Sequence, residues 1–119
     1  MKTKLLQKLM NLPLTDRGNA ERLQILFGNK WKYLSRYRGW MRWDRYCWRG
    51  RKTEEMWQAA AEAFRTLALE IYRLPVPPGD MEQDRRVRIM AWLTRSQLNY
   101  HTTLAVRYFK EMNREEQAG

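Results

Sequence analysis

The chain has 119 residues, and its 23 lysines and arginines against 13 acids leave a formal charge of +10. That length suits a single domain with its own core. With one cysteine (Cys47) and one histidine (His101), neither an internal disulfide nor a zinc site of His and Cys ligands can be built. A surface this basic draws polyanions, nucleic acid before anionic membrane. Lys8 interrupts the apolar start and no small-residue cleavage site follows, so no signal peptide is expected. No run approaches the roughly 20 apolar residues of a membrane span. The expected setting is the reducing cytoplasm, without a membrane partner.

Leu5, Leu6, Leu9 and Met10 share one helical face, so the pattern predicts a short helix over 4–11, ended by Pro13. Thr15 or Asp16 then caps a second helix with Ala20, Leu23, Leu26 and Phe27 inward and Gly28 as its stop. From Trp31 the pattern shortens and turns aromatic. Residues 40–43 and 46–48 read as the arms of a hairpin turned at Asp44 and Arg45 and bracketed by Gly39 and Gly50. Thr53 reads as the cap of a long helix with Trp57, Ala60, Ala61, Phe64, Leu67, Ala68 and Ile71 inward. A proline-rich loop at 75–79 separates it from a helix over 80–94 that buries Val87, Met90 and Ala91 or Leu93. Ser96 is expected to cap a last helix whose inner positions are Leu98, Ala105, Tyr108 or Phe109, and Met112, with a polar tail over 114–119 that frays. The fold class expected is mainly α: four or five helices with one small aromatic β-hairpin, in one domain over 1–119. A lone ribbon is weak in water, so some of its tryptophans must enter the core.

Catalytic constellations are missing. No phosphate-cradling loop, nucleophile elbow, paired-cysteine motif or metal-ligand pair occurs, so no cofactor is implied and the chain reads as no enzyme. His101 has no evident partner for general-base work. Cys47, between Tyr46 and Trp48, reads as a small apolar filler.

Residues 30–52 carry the chemistry. They hold nine cations, Lys30, Lys32, Arg36, Arg38, Arg42, Arg45, Arg49, Arg51 and Lys52, and one acid, Asp44, so +8 of the chain's +10 lies here. Seven aromatics interleave them: Trp31, Tyr33, Tyr37, Trp40, Trp43, Tyr46 and Trp48. Guanidinium groups fork onto phosphate oxygens and release counterions, while exposed rings stack on unpaired bases. The bland alternative puts the rings in the core beneath arginines held by cation–π contact. Arg85, Arg86 and Arg88 form a second basic cluster. Trp31, Tyr37 and Tyr46 are the candidate stacking rings.

The string Thr15-Asp16-Arg17-Gly18-Asn19-Ala20-Glu21-Arg22, then Phe27-Gly28, is followed by Trp40-x-x-Trp43-Asp44, Trp48 and Trp92-x-x-x-Ser96. This series resembles the helicase-associated N-terminal domain of phage and poxvirus-type (superfamily 3) primase–helicases, over about residues 14–112. The resemblance implies DNA replication in a phage or other mobile element and a helicase or primase partner. It does not imply helicase or primase activity. Arg45 stands where that family has a turn glycine, which makes a positive φ there less comfortable. Read from its own residues, the first string is expected to be structural before it is a direct DNA contact: Asn19 and Glu21 satisfy helix-start amides, and Arg22 pairs with Asp16 or Asp44.

The resemblance also makes Trp40, Trp43 and Trp48 framework residues, from between which Arg42, Arg45 and Arg49 project. On that reading Trp43→Ala unfolds the protein and the arginines carry binding. The function expected is that of a DNA-binding accessory module. The alternative is a small phage-type adaptor or inhibitor gripping a host or helicase protein through exposed tryptophans.

Overall fold

The structure, a computed structural model, describes the backbone of residues 1–117 and the side chains of residues 1–113. In chain order the elements are α1 (Thr3–Met10), α2 (Asp16–Phe27), β1 (Trp31–Leu34), β2 (Gly39–Trp43), β3 (Trp48–Arg51), α3 (Thr53–Tyr72), α4 (Asp80–Arg95) and α5 (Asn99–Gln117). The protein is mainly α, with five helices and one small antiparallel sheet among the described residues. Leu6 and Leu9 of α1, Leu23 of α2, Phe64 and Leu67 of α3, Leu93 of α4 and Phe109 of α5 meet in one core.

The sheet has three strands in the order β1-β2-β3, where the sequence predicted a two-armed hairpin. Trp31-Lys32-Tyr33-Leu34 is the added strand, paired with β2 so that Tyr33 lies opposite Trp40. Its short, mixed pattern concealed it. Trp40 stacks on Phe109 of α5 (centroids 5.6 Å apart) and meets Tyr33 and Trp31 edge-on, which fixes the ribbon to the helices.

Several helix faces are rotated from expectation. In α3 the buried stripe is Met56, Ala60, Phe64, Leu67 and Ile71. Trp57 lies about 100° round the helix from Met56 and is 38% exposed. In α4 the buried residues are Ile89 and Leu93, while Val87 and Ala91 face solvent and Met90 is half-buried. Leu98 is exposed as well, and Leu26 and Phe27 are half-buried. Thr53 is the first residue of α3 and Lys52 its cap; Ser96 closes α4 and does not open α5. The tail expected to fray is helical as far as Gln117, and residues 118–119 lie outside the described residues.

The Thr15–Arg22 string builds a buried polar hub. Thr15 caps α2 by accepting from the Gly18 amide at 2.9 Å. Arg22, fully buried, donates to the carbonyls of Leu9 (3.0 Å), Leu12 (2.7 Å) and Pro13 (2.9 Å) and to Asn19 Oδ1 (3.1 Å). The expected pairing with Asp16 or Asp44 is therefore not made; Arg22 reaches back over the α1–α2 turn, whose carbonyls lack helical donors. Burial lowers its pKa to about 10, so it remains charged at neutral pH.

Asn19 does not satisfy a helix start. Its Nδ2 donates to Ser96 Oγ (2.8 Å), and its Oδ1 also accepts from Trp92 Nε1 (3.1 Å). Glu21 is exposed and takes no part. Asp16 instead faces His101, whose Nδ1 lies 2.8 Å from Asp16 Oδ1, a partner 85 residues away in sequence.

Gly18 is required by close approach, since a Cβ there would lie 2.0 Å from the Pro13 carbonyl oxygen. Gly18→Ala must displace the turn that Arg22 grips, and thermal unfolding is expected to show a loss of about 2–4 kcal/mol. An unchanged Tm would refute this account of the turn.

Candidate nucleic-acid interface

The pleat sorts the sheet into two faces. Trp31, Tyr33, Trp40, Arg42, Arg49 and Arg51 share the inner face, because Trp31 opposes Arg42, Arg42 opposes Arg49, and Trp40 opposes Arg51. Lys32, Leu34, Met41, Trp43 and Trp48 share the outer one, where Lys32 opposes Met41 and Trp43 opposes Trp48.

This overturns the assignment of the tryptophans. Only Trp40 of the three framework candidates is core, at 2% exposure. Trp43 is 40% exposed on the outer face and meets Trp48 edge-on at 5.5 Å, with Lys32 Nζ 4.2 Å from the Trp48 ring centre. Trp31, a candidate stacking ring, is 3% exposed against Phe27 and Trp40 and is not available to a base. Tyr37 and Tyr46, the other two candidates, are 67% and 85% exposed at opposite ends of the sheet. Trp40→Ala is accordingly expected to cost about 3–5 kcal/mol in chemical denaturation. Trp43→Ala is expected to cost about 1 kcal/mol or less, the reverse of the unfolding anticipated from sequence. Equal losses would show that Trp43 is structural.

The arginines divide differently too. Arg42 lies over the Trp31 ring at 5.7 Å, and Arg51 pairs with Glu55 at 3.6 Å. Arg49 is bound by Asp44, whose other oxygen accepts from the Tyr46 and Cys47 amides at 3.2 and 3.1 Å. Arg49 and those two amides hold the Asp44 carboxyl well below the usual carboxylate range. Since the folded state depresses this pKa, the stability it contributes is present above the unfolded value of about 4 and lost as pH falls below it.

Lys30, Arg36, Arg38, Arg45 and Lys52 are exposed and make no ion pair among the described residues; Arg36 sits 5.7 Å from the Tyr37 ring centre. Arg38 (φ 49°) and Arg45 (φ 94°) are the non-glycine residues with positive φ among those described, one in each turn of the sheet. Such positions cost about 1–3 kcal/mol for an ordinary side chain, so both turns hold arginine against backbone preference.

The second basic cluster is largely tied down. Arg85 binds Glu82 at 2.9 Å and Asn11, and Arg86 binds the Pro75 carbonyl and approaches Glu82 at 3.9 Å. Arg88 alone of the three is exposed. These arginines brace α4, whose main packing partner is α3, and the structure does not join them to the sheet face.

Sequence reasoning missed Lys32 beside Trp43 and Trp48 as an outer-face cluster. The signal was the period of two: counting from buried Trp40, positions 41 and 43 fall on the opposite face. It also missed the His101–Asp16 contact, for which no local signal exists. No group of three or more His, Cys, Asp or Glu side chains placed to hold a metal occurs among the described residues, and none of their helices is long and apolar enough to cross a membrane. Comparisons with protein families, with curated proteins and with solved structures find no match to this chain.

Asp44→Asn keeps an oxygen for the two turn amides while releasing Arg49 and adding one positive charge. Its expected result is tighter polyanion binding, by about three- to tenfold, with a salt slope steeper by about one. Weaker binding would mean that the Asp44–Arg49 pair itself contacts the ligand.

Proposed function

We propose that this chain is a non-catalytic DNA-binding accessory module of phage or mobile-element replication, working in the host cytoplasm beside a replicative helicase or primase. The observation that carries the binding half is the sheet: most of the protein's excess charge stands on one exposed meander, where among the described residues only Arg49 and Arg51 of its nine cations have carboxylate partners. Such an arrangement serves counterion release, because each unpaired arginine is ready to replace a condensed cation on a phosphate. The replication setting rests on the resemblance of the Thr15–Arg22, Trp40–Asp44 and Trp92–Ser96 strings. Their residues Asn19, Arg22, Trp92 and Ser96 form one hydrogen-bonded hub, so three of the four do a joint structural task with Arg22.

Fluorescence anisotropy of labelled DNA, titrated with protein across a range of salt, tests the binding half. Binding that weakens linearly on a log–log salt plot is expected. Absence of binding at low salt, or a flat slope, removes the proposal.

An adaptor reading finds support in one feature. A hollow of about 480 Å³ between α2, β1 and α3, with Leu26, Phe27, Trp31 and Ala63 in its lining and Lys30, Arg42 and Glu62 beside them, could receive a partner's side chain. A pull-down repeated with nuclease separates the two: a defined partner retained after digestion favours the adaptor.

A further inference from the structure

We infer that the outer face of the sheet binds an unpaired strand, its bases stacking on Trp43 and Tyr46 while arginines of the two turns hold the phosphates. The inference rests on the proposed DNA binding and specifies which form of nucleic acid this face takes.

Three observations converge. First, the outer face offers rings as well as charge. Trp43 is braced edge-on by Trp48, which Lys32 in turn covers, so the indole is held in place while remaining 40% exposed. Tyr46 stands 85% exposed just beyond the end of β2. A ring can stack only on a base whose face is open, and in a duplex interior those faces are covered by neighbouring pairs.

Second, the shape suits a strand better than a duplex. Three strands spaced about 4.8 Å apart put the outer backbones about 10 Å from each other, before side chains are added. A major groove about 12 Å wide admits one helix or a two-stranded ribbon, not this meander with its flanking arginines. The excess charge also sits on the sheet and its turns more than on the helices: residues 30–52 carry +8 of the total +10. A ribbon of four to five residues is about 15 Å long. That is room for a short run of nucleotides between the two turns, at the lower end of known single-strand sites.

Third, both turns repeat one composition. Arg36-Tyr37-Arg38 tips one end and Arg45-Tyr46 the other, with Arg38 and Arg45 each at positive φ. Glycine would sit there without cost, so the side chain is what these positions add. An arginine beside an exposed tyrosine at each end gives the strand a phosphate clamp and a stacking surface at entry and exit.

The test compares fluorescent oligonucleotides of about 12 thymidines with a blunt duplex of the same length at one salt concentration. The single strand is expected to bind about tenfold or more tightly, with quenching of tryptophan emission. Tyr46→Ala and Trp43→Ala, both exposed positions, should each weaken single-strand binding by about five- to hundredfold. They should leave duplex affinity and the salt slope unchanged, with no more loss of stability than the roughly 1 kcal/mol already expected of Trp43→Ala. Duplex bound as tightly as single strand, or variants that lower both affinities equally, would overturn this inference and leave general DNA binding standing. Failure of both probes to bind would remove the parent proposal with it. A matched oligouridine bound more tightly than oligothymidine would keep the unpaired-strand inference and overturn the assignment to DNA.

Discussion

Arg22→Met is expected to cost about 3–5 kcal/mol in urea denaturation, a large share of the roughly 5–15 kcal/mol that keeps a domain folded. Methionine nearly fills the space of the arginine, so the loss does not come from packing. It comes from three carbonyls left without a side-chain donor, those of Leu9, Leu12 and Pro13, while Asn19 Oδ1 keeps its bond from Trp92 Nε1. Each buried acceptor without a donor costs about 1–3 kcal/mol. Arg22→Lys separates charge from geometry. It keeps the cation but offers one point of donation in place of a planar fork, and should fall between wild type and Arg22→Met. A loss below about 1 kcal/mol for Arg22→Met would mean that the α1–α2 turn holds its shape without the guanidinium.

The second large effect concerns binding. Replacing Arg36, Arg38 and Arg45 together by glutamine removes three exposed cations without ion pairs among the described residues. If each neutralises one phosphate, the log–log salt slope should flatten by about 2 for single strands, at roughly 0.7 per contact. At about 0.1 M salt that corresponds to roughly a hundredfold loss of affinity. Glutamine is as uncomfortable as arginine at positive φ, so the turns keep their strain and the Tm should hardly move. An affinity change without a change of slope would show that these side chains act otherwise than by charge.

Helices were legible in this chain because their apolar residues repeat at three and four over long stretches, as in Phe64, Leu67 and Ile71. Their phase was less so. Trp57 and Met56 are adjacent, and hydrophobicity alone favours the tryptophan, although the spacing to Ala60 selects Met56. The sheet was harder, since four-residue strands give two inward positions each and residues 31–34 resemble their loops in composition. There the family resemblance misled, by treating Trp40, Trp43 and Trp48 as equivalent when the pleat separates the first from the other two. Arginine at position 45 was read as making a positive φ less comfortable there, yet the turn adopts one all the same, at 94°. The hub was not readable, because Asn19 meets Trp92 and Ser96 across more than seventy residues and nothing local marks a long-range acceptor.

That distance has a consequence during synthesis. Arg22 finds the carbonyls of residues 9, 12 and 13 as soon as the first two helices have emerged from the ribosome. For Ser96 and Trp92 the Asn19 amide must wait until α4 has been made, and a nascent chain ending in the 75–79 loop carries it with Arg22 alone of its native partners. Fragments cut at that loop, convenient as the prolines make it, should therefore remain soft at their N-terminal end until the C-terminal piece is supplied in trans.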